Sequence, residues 1–162
     1  MQKVKQDRMF LFLAVMSIVT TMGFQVWRTL FNNFAVDVVG LSGNHIGVIQ
    51  SVREVPGFLA LLVVFVTLVI KEHRLSAISV AILGLGISLT GAFPSFTGLI
   101  FTTLLMSFGF HYFEATNQSL TLQYFDTHTS PWVMGKLRSY SSASAIVIGF
   151  ILLGASSVLS YE

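Results

Sequence analysis

Residues 46–70 read IGVIQSVREVPGFLALLVVFVTLVI, a run apolar enough to cross a bilayer that nonetheless carries Arg53, Glu54, Pro56 and Gly57 in its first half. Spanning roughly 30 Å of hydrocarbon takes about 20 predominantly apolar residues in a helix. A charged side chain near the centre of such a helix costs roughly 2.5–3.5 kcal/mol on insertion scales, and these groups normally face a bundle interior or an aqueous cavity. The stretch therefore reads as one wall of a polar interior inside a membrane. Gln50, Arg53, Glu54 and Gly57 share a face of it. Adjacent side chains on a regular helix point about 100° apart, so Arg53 and Glu54 are expected to pair across helices, Arg28 with Glu54 and Arg53 with Asp37. Pro56 lacks a backbone donor and is expected to kink the helix, while Gly57 admits a close neighbour.

The rest of the 162-residue chain is of the same kind. Hydrophobic residues make up 54% and charged residues 10%, with a mean hydropathy of +0.78, whereas soluble domains are about a quarter charged. The expected class is all-α, a single polytopic transmembrane helix bundle over residues 1–162 with helices at about residues 9–34, 46–70, 75–93, 99–122 and 137–159. Lys3, Lys5 and Arg8 before Met9 imitate a secretory signal. The apolar run that follows is too long for one and shows no small-residue cleavage site, so it reads as a retained first helix. The chain has no cysteine, which excludes disulfides, thiolate catalysis and cysteine metal sites. His45, His73, His111 and His128 are scattered, without a His-Glu-x-x-His pattern or a Gly-rich phosphate loop. No metal, cofactor or nucleic-acid partner is expected; the partner that composition implies is the lipid bilayer.

Polar residues recur on single helical faces. In the first helix, Thr21, Gln25, Arg28 and Asn32 follow one another at spacings of four, three and four, which makes a stripe. Arg28 reads either as a residue snorkelling to the headgroups or as part of a cavity wall. Trp27, Phe31 and Phe34 suit a membrane interface. In the fourth helix, Ser107, His111, Glu114, Gln118 and Thr121 form the most polar face of the chain, with Asn117 beside them and His111 one turn from Glu114. The third helix lacks ionisable residues and reads as peripheral, its Gly84, Ser88 and Gly91 ridge packing on one neighbour. Residues 123–136, with Asp126 and Pro131, read as a turn-rich connection. Ser142, Ala145, Gly149 and Ser156 make the fifth helix a packing helix.

With the N-terminus in the cytoplasm, the inner helix ends hold Lys3, Lys5, Arg8, Lys71, Arg74, Lys136 and Arg138, and the outer loops hold no Lys or Arg. That obeys the positive-inside rule and predicts a multi-pass protein of the cell membrane.

The connection through Asp37, Gly40, Leu41 and Ser42 into a helix opening Ile46, Gly47, Val48, Ile49, Gln50, Ser51, the short basic turn at residues 71–74, and the lead-in Gly135, Lys136, Leu137, Arg138, Ser139 together resemble the N-terminal half of a major facilitator superfamily transporter. The resemblance covers nearly the whole chain. The family's Gly and Asp-Arg/Lys signature between helices 2 and 3 is not present at residues 67–76. The resemblance implies a central cavity lined by helices 1 and 4, helices 2 and 5 flanking a second half, and helix 3 facing lipid. It also implies that this chain is an N-terminal part, about five of twelve helices, whose second helical half lies in the same or another chain. The function it implies is secondary active transport of a small solute by alternating access. Gln25, Arg28, His111, Glu114 and Gln118 are then candidates for solute binding, with Arg28 or Arg53 favouring an anionic group. Glu114 is a candidate proton carrier, and Arg53 and Glu54 a charged gate or flank.

Two other readings fit the residues. A non-transporting membrane scaffold or truncated half-transporter module would use the same charges as structural ion pairs. Gly40, Leu41, Ser42 and Gly43 spell the Gly-x-Ser-Gly of rhomboid-like intramembrane serine proteases, with His111 as an imaginable base. That serine falls in an outer loop rather than within a helix, and the other rhomboid signatures are missing, so the chain is not expected to be an enzyme.

Overall fold

The computed structural model describes the backbone from Gln2 to Leu159 and the side chains of residues 6–157; Lys3 and Lys5 lie outside the described side chains. The described residues are 88% helical, without strands, and five segments are long and apolar enough to cross a membrane.

The first span is longer than the periodicity suggests. Helix α1 covers Gln2–Asn33 and passes into a π-helical turn, Phe34–Val38. A Gly40 at φ +72° then reverses the chain, a conformation that glycine adopts without steric cost. The second span breaks where Pro56 predicts, and more thoroughly. It consists of α2 (Gly43–Arg53), α3 (Val55–Leu59), a 3₁₀ turn (Ala60–Leu62) and α4 (Val63–Thr67). Helices α5 (Glu72–Thr90), α6 (Phe96–Tyr124) and α7 (Ser130–Leu159) complete the bundle. The connection between α6 and α7 is far shorter than residues 123–136, because Pro131 starts α7 instead of interrupting it. A proline in the first turn forfeits no helical hydrogen bond, and Val133 and Leu137 are buried there.

Successive spans run in opposite directions. At the basal end, where α1 starts, Gln6 Nε2 donates to the Tyr124 carbonyl at 3.2 Å, and the Glu72 carboxylate accepts from Ser119 Oγ at 3.0 Å and Gln123 Nε2 at 2.6 Å. At the apical end, Trp27, Phe31, Ala35, Ile49, Leu83, Leu99 and Met106 form one core. Trp27 and Phe31 are 3% and 2% exposed, which corrects the reading of them as interfacial rings. Phe24, Trp27 and Phe31 stack along α1 instead.

The closest helix pair is α5 with α6, and its glycines are not those of the expected ridge. A Cβ at Gly86 would overlap the Met106 backbone, and one at Gly109 would overlap the Leu83 amide and the Ser79 carbonyl. Gly84 and Gly91 meet nothing within 4 Å, and Ser88 is exposed. Helix α7 is likewise no general packing helix. It leans on α1 near the basal end, through Phe10 against Trp132 and Tyr140, and leaves Ile146, Phe150 and Leu153 exposed farther up.

Candidate functional site

Helix α1 packs along α7, while α6 meets each of them only slightly. The space left between them is a cavity of about 910 Å³. From α1 come Ser17, Thr20, Thr21, Phe24, Gln25 and Arg28; from α6 come His111, Glu114, Asn117, Gln118 and Thr121; from α7 come Arg138, Ser141, Ser142 and Ala145. Arg28, Glu114, Gln118 and Arg138 line it yet remain exposed, so the cavity is a groove open to the side. Helix α5 contributes no lining residue.

Five of the seven sequence-derived candidates, Gln25, Arg28, His111, Glu114 and Gln118, are brought together on this wall. Their alignment follows from the three- and four-residue spacings, which keep the stripe of each helix on one side. Asn32 does not join them. Gln25 Nε2 donates to Thr29 Oγ1 at 3.3 Å. Among the described residues, neither Arg28, Glu114 nor Arg138 has an opposite charge within 4.0 Å.

Arg53 and Glu54 lie elsewhere, on a smaller cavity of about 190 Å³ with Phe24, Ser107, Phe110 and His111. The expected cross-helix pairs Arg28–Glu54 and Arg53–Asp37 do not form. Arg53 pairs with its neighbour, Nε and Nη2 donating to Glu54 Oε1 at 2.9 and 2.6 Å. The helix is interrupted at Glu54, so the 100° offset between adjacent side chains no longer keeps them apart. The Arg53 guanidinium also lies 5.9 Å from the Trp27 ring centroid, within cation–π range. Glu54 Oε2 is 4.0 Å from His111 Nε2, and His111 in turn is so near the second span that a Cβ on Gly57 would sit 3.1 Å from its Cε1. His111 thus borders both cavities.

The groove contains more than the stripes announced. Arg138 reads in the sequence as a basic residue of the helix end, and the extension of α7 down to Ser130 carries it two turns into the helix and onto the wall. Ser17 and Thr20, 3% and 2% exposed, have hydroxyls without a hydrogen-bond partner, as does Asn117 Oδ1. The available signal for Ser17 was its position one turn below Thr21 on the same face.

Ser42 Oγ lies 2.9 Å from His45 Nδ1, not near His111. It stands at the N-cap position of α2, where its side chain bonds His45 and makes no hydrogen bond to the helix backbone. No protein-family model, curated protein or solved structure matches the chain.

Proposed function

We propose that this chain is the solute-binding part of a secondary transporter in the cell membrane, working by alternating access, with the groove between α1, α6 and α7 as its solute site. The observation that carries the reading is a cavity of about 910 Å³ in an apolar five-span bundle, walled by Arg28, Glu114 and Arg138 without ion-pair partners. Ionisable groups held inside membrane spans mark solute or proton pathways, and a scaffold needing only structural pairs would have closed these charges on each other.

In this reading a second helical half, in the same or another chain, covers the open side of the groove and rocks against it. Gln25, Arg28, His111, Glu114 and Gln118 contact the solute or the coupling ion. Glu114, which accepts no hydrogen bond among the described residues, is the candidate proton carrier. Arg53 and Glu54 flank the site, holding the break in the second span beside His111. The basic residues at the basal end put the N-terminus in the cytoplasm.

Uptake of radiolabelled solutes by the protein in proteoliposomes, with and without a proton gradient, tests this. Solute accumulation is expected, with Glu114→Gln abolishing the response to the gradient. Absence of uptake across a broad panel overturns transport, and a gradient response that survives Glu114→Gln removes the proton role. Reporter fusions at Asn44 and Pro94 should read outside and a fusion at Arg74 inside.

A further inference from the structure

We propose that the basal half of the groove binds a small zwitterion of the amino-acid type, its carboxylate on Arg138 and its ammonium on Glu114; this rests on the reading of the groove as a solute site.

The heights of the residues come from contacts between helices. Phe10 lies between Trp132 and Tyr140, which puts Arg138 about two residues above Phe10. Gln6 reaches Tyr124, and Phe24 stacks on Phe110 with ring centroids 4.7 Å apart, which puts Glu114 near the level of Ser17 and Thr20. At 1.5 Å per residue, Arg138 and Glu114 are about 9 Å apart along the bundle, whereas Arg28 is about 24 Å above Arg138. No small solute bridges the two arginines, so they do not form a clamp for a dianion. The charges that one small molecule reaches together are Arg138 and Glu114, which have opposite signs.

They make no ion pair with each other or with anything else among the described residues. A simple anion on Arg138 would leave the Glu114 carboxylate unpaired and repelling it, and a simple cation on Glu114 would leave Arg138 unpaired. A zwitterion satisfies both, and once a second half covers the groove an unpaired charge there is the costly alternative. At the same level Ser17 and Asn117 belong to the groove wall. The same carboxylate of Glu114 then holds either a proton or an ammonium.

The test uses the purified full chain in nanodiscs and matched probes: L-leucine, 4-methylpentanoate, which lacks the ammonium, and 3-methylbutylamine, which lacks the carboxylate. Alanine, propanoate and ethylamine repeat the comparison at smaller size, and glycerophosphoethanolamine represents a zwitterionic lipid headgroup. In at least one series the zwitterion is expected to bind about tenfold or more tightly than either single-charge relative, because truncating one partner of a charge pair costs at least that much. Arg138→Gln and Glu114→Gln each lose that preference, and Arg74→Gln, outside the groove, keeps it. Arg138→Lys and Glu114→Asp, which retain the charges, guard against misfolding of the neutral variants and should keep the order of preference.

Preference for the headgroup probe over both amino acids supports the site and assigns its occupant to lipid. Equal or tighter binding of the anion overturns the proposal, as does failure of every zwitterion to bind, or wild-type preference in folded neutral variants. Zwitterion binding without uptake in proteoliposomes overturns transport and leaves the site; uptake of anions unaffected by either variant overturns the site and leaves transport.

Discussion

The break beside Pro56 has a consequence that reaches α6. In a continuous helix the Arg53 carbonyl would accept from Gly57, but the Gly57 amide donates to Glu54 instead, at 3.0 Å. The Ser107 hydroxyl takes its place on the Arg53 carbonyl. Inside a membrane a freed carbonyl must find such a donor. Ser107→Ala is therefore expected to destabilise the bundle by about 1–3 kcal/mol, the usual cost of an unsatisfied buried acceptor, read as a lower thermal unfolding midpoint in detergent. Unchanged unfolding would mean that water serves the carbonyl equally well. In the connection before α7, the Asp126 carboxylate accepts the Thr129 amide at 2.7 Å, the Thr129 hydroxyl at 3.2 Å and the His128 amide at 2.9 Å. Those bonds, the Thr129 amide foremost, hold its carboxyl below the usual carboxylate range. The folded pKa is depressed, so the turn's stabilisation is present above the ordinary carboxylate pKa and is lost as pH falls through the lower folded value. The protection factor of the Thr129 amide, its exchange rate taken relative to the intrinsic rate at each pH, should fall on acidification in the wild type, and in Asp126→Ala it should already be low at neutral pH.

At the scale of elements, the existence of five spans was legible in the sequence, since about 20 apolar residues in a row have few other uses. Their ends were not. Pro131 looks like a loop residue and acts as the first turn of α7, and Phe34–Val38 continues α1 as a π-helical turn, because short-range signals carry no record of which flanking residues find burial. The small-residue contact shows the same limit. Gly84, Ser88 and Gly91 satisfy the spacing rule, as does any glycine-rich helix; only docking distinguishes them from Gly86 and Gly109. Gly109→Ala is expected to cost about 1–3 kcal/mol, since the backbones must move apart to admit a methyl. Gly84→Ala should change stability by no more than about 0.5 kcal/mol, as open sites usually do. Thermal unfolding of the two variants in parallel checks the pair, and equal losses would remove α5–α6 contact as the reason.

For the molecule as a whole, the open groove and the apolar surface make opposite claims on the solvent. Ser142 and Gln118 line the groove, whereas Phe65 and Leu153 are exposed on the outer surface. The chain contains no cysteine, so single thiols report without background. In nanodiscs, Ser142→Cys and Gln118→Cys should react with a membrane-impermeant maleimide about tenfold or more faster than Phe65→Cys and Leu153→Cys, because the reactive thiolate needs water. Equal rates would show that lipid fills the groove. Apolar run length and the three- and four-residue spacing of polar side chains were enough, without coordinates, to determine an all-helical membrane bundle and the polar faces of α1 and α6. Tertiary structure decided the rest: the pairing of Arg53 with Glu54, the burial of Trp27, and the arrival of Arg138 on the groove wall. Those depend on where helices start, break and cross, and such positions are set by contacts between residues far apart in the chain.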